Sequence, residues 1–270
     1  MKVALVTGGS EGIGKAIAAK IGQQNYRVVI AARSEDKLAE AVRSLTAEGI
    51  TINAKTLDVR EPQQVQQVVK EVINEFGSID LLVNNAGIYS SGPAEEFSLE
   101  DWHKVLDTNL WGYIHTIHAT LPHMVSRESG KIVNICSIAG KVPMPYLVPY
   151  TTSKHAIAGL SQSLGAEVAD KGIQVSAIYP NIIKTTFPEK AVMRGKNEND
   201  KEARYEQLEQ TLSMPFIEKP EDVANAVWQV VGSGERERVP GSAKLMNGMN
   251  SLLPQATQWM LKTVFKNKDS

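Results

Sequence analysis

Among 270 residues there is a single cysteine, Cys136. One thiol excludes an intramolecular disulfide framework, and its place in the apolar run KIVNICS points to a buried, inert group in a reducing compartment rather than to a nucleophile. An excess of charge of one sign is also missing: 29 basic residues stand against 30 acidic ones. No global field therefore draws nucleic acid or an anionic membrane to this chain. Nor does any stretch approach the ~18 apolar residues that a membrane-crossing helix requires, and the opening MKVALVTGG is too short an apolar run for a secretory leader. A soluble, cytoplasmic protein is the expectation. With no internal repeat and no low-complexity tract, the length is expected to form one large domain around a sizeable core.

What the chain does have is alternation. Short runs rich in Val, Ile and Leu recur at 3–7, 27–32, 52–59, 79–85, 131–137 and 173–179, and they read as strands buried on both faces. Helical periods fill 12–23, 34–48, 61–76, 100–124 and 150–170, with a further helix at 221–231 and a short apolar run near Val239. Strand and helix in turn predict an α/β fold, a three-layer, doubly wound parallel sheet with right-handed crossovers. Residues 181–215 lose the pattern and read as a loop-like substrate lid, because an unstructured segment of that length in a compact domain is usually a lid or a binding loop. The main domain is expected to span 1–240, lid included, with 241–270 as an amphipathic extension.

TGGSEGIG (7–14) follows the first strand and opens the first helix. In that position Gly8, Gly12 and Gly14 let the backbone approach a pyrophosphate, and the helix N-terminus receives its charge. If a ribose 2′-hydroxyl were to be read, a carboxylate should stand at the end of the second strand. The chain there reads AARSED, and no acid precedes Arg33. A guanidinium suits a 2′-phosphate, with Ser34 as a further donor, so NADP(H) is expected over NAD(H). The bland alternative is a solvated Arg33, with Glu35 and Asp36 as favourable first-turn charges.

YTTSK (150–154) sets a phenol and an ammonium four residues apart in a helical stretch, which places Tyr150 and Lys154 on one face. An isolated pair of this kind is most simply an exposed amphipathic turn. A cation on the same face would favour phenolate and bring the phenol down from its ordinary pKa near 10.

TGGSEGIG, NNAG (84–87), Asn109 in DTNLWG, Ser137 in NICSIAG and YTTSK, in that order, resemble the motifs of the short-chain dehydrogenase/reductase family. The likeness extends from the first strand to Thr185. It implies a Rossmann fold and, residue by residue, a set of roles. Gly8, Ser10, Gly12, Ile13 and Gly14 would surround the cofactor phosphates, Asp58 and Val59 would flank the adenine, and Asn85, Ala86 and Gly87 would line the ribose. Tyr150 would be the general acid in carbonyl reduction, Ser137 would hold the substrate oxygen, and Lys154 would bind the nicotinamide ribose. Asn109 would support a water leading protons towards Lys154. PNIIKT (180–185) resembles the family's Pro-Gly-x-Val-x-Thr, which implies that Ile183 and Thr185 would hold the carboxamide and phosphate of the cofactor, with Pro180 also at the cofactor. Asn181 replaces the usual Gly; it tolerates positive φ, but its side chain is expected to crowd or contact the substrate.

Between Ser137 and Tyr150, Met144, Pro145, Tyr146, Leu147 and Val148 are placed to wall a substrate pocket, and Phe187 and Met193 to close it. Apolar walls suit an apolar ketone or aldehyde. The expected activity is NADPH-dependent carbonyl reduction. The alternatives are an NAD-dependent alcohol dehydrogenase and, in another class, a non-catalytic dinucleotide sensor, although a sensor would not require Asn109, Ser137, Tyr150 and Lys154 together. The resemblance also implies a homodimer or homotetramer assembled through the long helices.

His115, His118 and His123 share a helix, but no carboxylate or thiol pattern completes a metal site. In the extension, Met249, Leu252, Leu253, Ala256, Met260 and Val264 recur at helical spacing, broken by Pro254, with Trp259 and Lys262 nearby. A helix packed over the cleft or a subunit is expected there, and an interfacial helix resting on a membrane is the alternative.

Overall fold

The computed structural model describes residues 1–184, 191–213 and 217–266, with side chains to residue 263. Each of the six apolar runs supplies a strand. β1 (Lys2–Thr7), β2 (Tyr26–Ala32), β3 (Ile52–Thr56) and β4 (Leu81–Asn84) alternate with α1 (Gly12–Gly22), α2 (Glu35–Ala47) and α3 (Pro62–Phe76). The short strand β5 (Ser90–Ser91) follows, then α4 (Leu99–Leu106), α5 (Gly112–Ser126), β6 (Gly130–Ile135), α6 (Val148–Glu167) and β7 (Ile173–Ile178). The last part contains β8 (Val192–Met193), α7 (Glu198–Ser213), α8 (Pro220–Ser233), β9 (Glu237–Arg238), α9 (Ala243–Leu252) and α10 (Pro254–Lys266).

Seven strands form one parallel sheet in the order β3-β2-β1-β4-β6-β7-β9. Consecutive strands run outward from β1 on one side and from β4 on the other, so the order reverses between these two. At such a reversal the connections leave towards opposite faces and open a crevice at the carboxyl ends of the strands. Two apolar cores cover the sheet. Ile17, Ile21, Leu38, Val227 and Val230 pack on one face, and Val65, Val72, Ile117, Met124 and Val168 on the other.

Helix boundaries follow local chemistry. Ser34 caps α2 by accepting from the Lys37 N–H at 3.4 Å, while Pro62 opens α3 and Gly77 closes it at φ 84°. Ser98 and Asp101 form a reciprocal capping box on α4. The single helix expected over 100–124 carries a π-turn at Asp107–Trp111, where Gly112 lets the chain lie against Val59.

One expectation needs correction. Much of 181–215 is helix: ENDKEARYEQLEQTLS lacks an apolar stripe, yet it is composed of helix formers, is capped at Asp200 by Asn197 (2.9 Å) and is laced by Lys201–Glu198 and Arg204–Asp200 pairs. The extension forms two helices, and the interruption expected at Pro254 falls there, with Pro254 opening α10. Among its described residues Ala243, Thr257 and Leu261 are buried, whereas Leu252, Leu253 and Trp259 are exposed. No helix among the described residues is long and apolar enough to cross a membrane.

Candidate active site

The glycine loop leaves β1 beside β4, at the crevice. Gly8 and Gly12 take φ of 63° and 52°, and a β-carbon on Gly14 would run into the Gly8 carbonyl oxygen. The N-cap residue of α1, Glu11, makes no side-chain cap bond, so this helix start offers its backbone donors outward. Asn85 stitches the neighbouring loop to it. Its amide donates to the carbonyls of Thr7 and Gly8, both at 3.1 Å, while Thr7 Oγ1 accepts the N–H groups of Asn85 (3.0 Å) and Ala86 (3.1 Å). Ser10 is buried in the loop, and Ile13 lies half-buried at the start of α1. A glycine cradle of this shape, facing a helix start, fits a dinucleotide pyrophosphate.

Arg33 is exposed at the end of β2 and makes no hydrogen bond or ion pair among the described residues. Lys37, one turn into α2, reaches back to Glu11 at 2.8 Å and sets a second cation at this edge. Ser34 is committed as an N-cap acceptor but keeps its own proton to donate. Asp58 is clamped by Arg60 through Nε and Nη2 (3.0 and 2.6 Å). Burial alone would raise the Asp58 carboxyl, but the Arg60 contacts hold it below the usual range. Val59 is buried, and its carbonyl meets His115 Nδ1 at 2.9 Å. Among the described residues no group of His, Cys, Asp and Glu gathers to hold a metal ion.

Tyr150 and Lys154 lie in the first turns of α6, both buried, on the face turned towards the end of β6. Lys154 Nζ donates to the Ile135 carbonyl at 3.0 Å and stands 5.7 Å from the Tyr150 ring centre. Ser137, just beyond β6, caps the short turn Ile138–Gly140 by accepting the Ala139 N–H at 3.1 Å, and its hydroxyl lies near enough to the Tyr150 phenol to favour the phenolate. Cys136 is buried, its thiol donating to the Lys154 carbonyl at 3.0 Å, and burial pushes that thiol up to about 11.

The expected lowering of the Tyr150 pKa is not what the protein alone produces. Burial pushes the phenol up to about 12, and the Ser137 hydroxyl opposes this only in part. The same burial brings Lys154 down to about 8. Desolvation outweighs the cation because Nζ is turned to a backbone carbonyl and not to the phenol oxygen.

Asn109 occupies the π-turn and is wholly buried. Its side chain is fully engaged: Oδ1 accepts the Ile88 N–H at 2.8 Å, and Nδ2 donates to the Ile88 carbonyl at 2.9 Å and to Ser153 Oγ at 3.1 Å. Ser153 in turn donates to the Tyr150 carbonyl at 2.6 Å. Gly87 lies against Asn109 Oδ1, at a distance that leaves little room for a β-carbon. The π-turn thus joins the NNAG loop to the helix carrying Tyr150 and Lys154.

The expected pocket residues divide. Met144 packs against both the Tyr150 cluster and the C-terminal helices. Tyr146 takes φ 61° and lies under the Arg204 guanidinium of α7 at 4.8 Å. Met193 is buried in β8, paired with Ser91. Asn181 turns its amide to Ser242 Oγ at 3.0 Å, Pro180 accepts the Ile138 N–H at 2.8 Å, and Ile183 is buried in an isolated bridge to Glu218. Thr185 and Phe187 lie outside the described residues. Sequence reasoning missed Tyr89, whose ring sits 5.3 Å from that of Tyr150, and Arg204. Adjacency to NNAG was the only signal for Tyr89, and Arg204 was hidden in a segment without periodicity.

The family model of the short chain dehydrogenases matches residues 2–196. A putative ketoacyl reductase of Streptomyces coelicolor is 34% identical over 239 residues, covering 86% of this chain and 91% of that protein. A crystal structure of a variant actinorhodin polyketide ketoreductase with NADPH superposes with a TM-score of 0.76 at 32% identity, over 86% of this chain and 91% of that one. A short chain dehydrogenase/reductase from Burkholderia phymatum in complex with NAD reaches a TM-score of 0.83 at 27% identity, over 93% and 94%. The motif order, the strand order and these likenesses converge, and the chain belongs to the short chain dehydrogenase family.

Proposed function

We propose that this oxidoreductase is an NADPH-dependent carbonyl reductase acting on an apolar ketone or aldehyde, with Tyr150 as general acid. The observation that carries the reading is the convergence of Ser137, Tyr150 and Lys154 at the carboxyl end of β6, next to the glycine cradle between β1 and β4. The cradle, the open start of α1 and the Asn85–Ala86–Gly87 loop would hold the dinucleotide, with Pro180, Ile183 and Thr185 at its nicotinamide end. Arg33 and Ser34 would take the 2′-phosphate. When bound, NADPH supplies the hydride for the carbonyl carbon.

The chain's own residues supply the rest. Tyr150, held neutral by burial, is in the form an acid must have, and it gives its proton to the developing alkoxide. Ser137, beside that phenol, would donate to the same oxygen and stabilise the charge that forms there. Lys154 lies one turn behind as the cation that replenishes the proton. Asn109 has its side chain occupied by Ile88 and Ser153, so contact with a relay water falls to its backbone. The Streptomyces coelicolor relative and the NADPH-bound polyketide ketoreductase support reduction, and their names point to ketone substrates. We also infer a homodimer paired through α4–α5 and α6, whose exposed surface includes Trp111.

The test is turnover. With an apolar ketone in excess, the protein should oxidise NADPH faster than NADH, and Tyr150→Phe should lower kcat by at least about 10²-fold, the low end for general acid catalysis. Equal rates with the two cofactors would remove Arg33 as the selector, and an unchanged rate in the variant would remove Tyr150 from the mechanism.

A further inference from the structure

We propose that the C-terminal helices α9 and α10 form a wall of the substrate site, and that Met246 and Met260, with Met144, select substrates carrying apolar bulk beyond the carbonyl. The inference rests on the carbonyl-reductase reading for the location of the reacting oxygen. Three sets of contacts carry it.

The first is packing on the segment next to Ser137. Ala243 of α9 and Leu261 of α10 are buried against Ile138 and Val142, with Met246 and Met260 half-buried around them. Ile138 immediately follows Ser137, so these helices rest on the turn that sets the position of its hydroxyl.

The second is Met144. This side chain packs both in the cluster of Ala139, Leu147, Tyr150 and Tyr89 and in the cluster of the C-terminal helices. It is the common wall between the phenol and the extension.

The third is a latch. Ser242, at the start of α9, accepts the Asn181 amide at 3.0 Å and gives both its N–H and its hydroxyl to Glu218, at 2.7 and 2.8 Å. Gly241 turns with φ 51°, and any β-carbon there would strike the Glu218 carboxylate. On the other side, Asn250 donates to the Lys141 carbonyl at 3.0 Å. The extension is therefore fastened to both segments that border the cleft, the one after β7 and the one after Ser137. The replacement of a family glycine by Asn181 acquires a use: its amide fixes the wall.

The chemistry of the wall indicates its ligand. With Ala243 and Leu261 buried beneath them, the half-buried Met144, Met246 and Met260 are the side chains that can face a ligand, and they offer neither charge nor a strong hydrogen-bonding group, so the wall rewards apolar surface. Methionine is unbranched and polarizable and adapts to irregular shapes, which suits a range of long or bulky chains better than one rigid outline.

The test is binding, which is independent of turnover. Isothermal titration of the full chain in the presence of NADP⁺ compares methyl octyl ketone with methyl ethyl ketone. The long ketone should bind at least about tenfold more tightly, and Met246→Ala and Met260→Ala should each weaken it by roughly three- to tenfold, the range for lost contact with a few methylene-sized groups. The loss for the short ketone should stay under about twofold. Leu245→Ala, at an exposed position of α9, is the control and should change neither. Retained NADP⁺ affinity shows that the variants are folded; if a methionine variant fails that check, Ser242→Ala, which frees the latch, should give the same chain-length-dependent loss. Equal affinity for the two ketones, or equal losses for both, overturns the wall. Chain-length-dependent binding without NADPH turnover would keep the wall and reject the reductase reading, so the two fail separately.

Discussion

Lys154 is a cation placed where water cannot reach it, and its ionisation is linked to folding. Its pKa is about 8 in the folded chain against the ordinary 10.5, because burial disfavours the ammonium. Below pH 8 the ammonium is charged in both states, and burying it costs the fold on the order of 3 kcal/mol. Between about pH 8 and 10.5 the unfolded chain binds more protons than the folded one, so stability rises with pH. The sign is the opposite of that for Tyr150, whose raised pKa of about 12 makes stability fall as pH climbs through 10 to 12. Lys154→Met should therefore be more stable than the parent at pH 7, and the difference should shrink towards pH 10. Denaturant titrations at the two values check this, and a constant difference would mean that Lys154 is solvated. That Ser137, Tyr150 and Lys154 would gather in one place was legible, because chemistry needs particular side chains in a particular order. Their proton affinities were not, because they depend on how completely α6 and β6 exclude water, and spacing does not report that.

At the scale of elements, the short β5–β8 pairing is tied to α4 by an ion pair between distant parts of the chain. Arg194, directly after β8, donates through Nε to Asp101 Oδ2 at 2.8 Å and through Nη2 to Oδ1, while Asp101 also closes the capping box of α4. The Val192 and Arg194 N–H groups bond to the Tyr89 and Ser91 carbonyls at 2.8 and 2.9 Å. Asp101 is buried but the Arg194 side chain is 40% exposed, so solvent screening reduces what the pair is worth. Arg194→Ala should cost about 1–2 kcal/mol of stability. Amide hydrogen exchange at Val192 and Arg194 should quicken with it, while β1 and β6 keep their protection. Uniform acceleration would show that the pair stabilises the whole fold and not this corner. The strands of the main sheet could be read from the sequence because a strand buried on both faces is an apolar run. α7 could not: its helicity comes from capping and charge pairs, which leave no period, and β8 is too short to show one.

The whole molecule was legible as alternating strand and helix, but its surfaces were not. The apolar spacing of 249–264 and its break at Pro254 could be read from the sequence, but not which of those side chains pack, and Leu252, Leu253 and Trp259 are exposed. At this scale belongs the proposed dimer. Trp111 is 49% exposed in the π-turn between α4 and α5. If those helices pair with a second copy, Trp111→Glu should halve the mass seen by sedimentation velocity and leave the circular dichroism unchanged. An unaltered mass would place the contact elsewhere or leave the chain monomeric.

The order of the strands also bears on how the chain assembles as it is made. β2 joins β1, β3 joins β2, β4 joins the free side of β1, and then β6, β7 and β9 each add to the last strand on that side. Every strand is therefore laid on an open edge, and none has to be threaded between two that are already paired. In chain order the sheet extends outward from β1, with the edge on one side advancing through β4, β6 and β7. It ends at β9, two residues long and charged in both, a poor template for another chain. The helices α9 and α10 follow β9 in the chain, so every strand of the sheet precedes the wall proposed for the cleft.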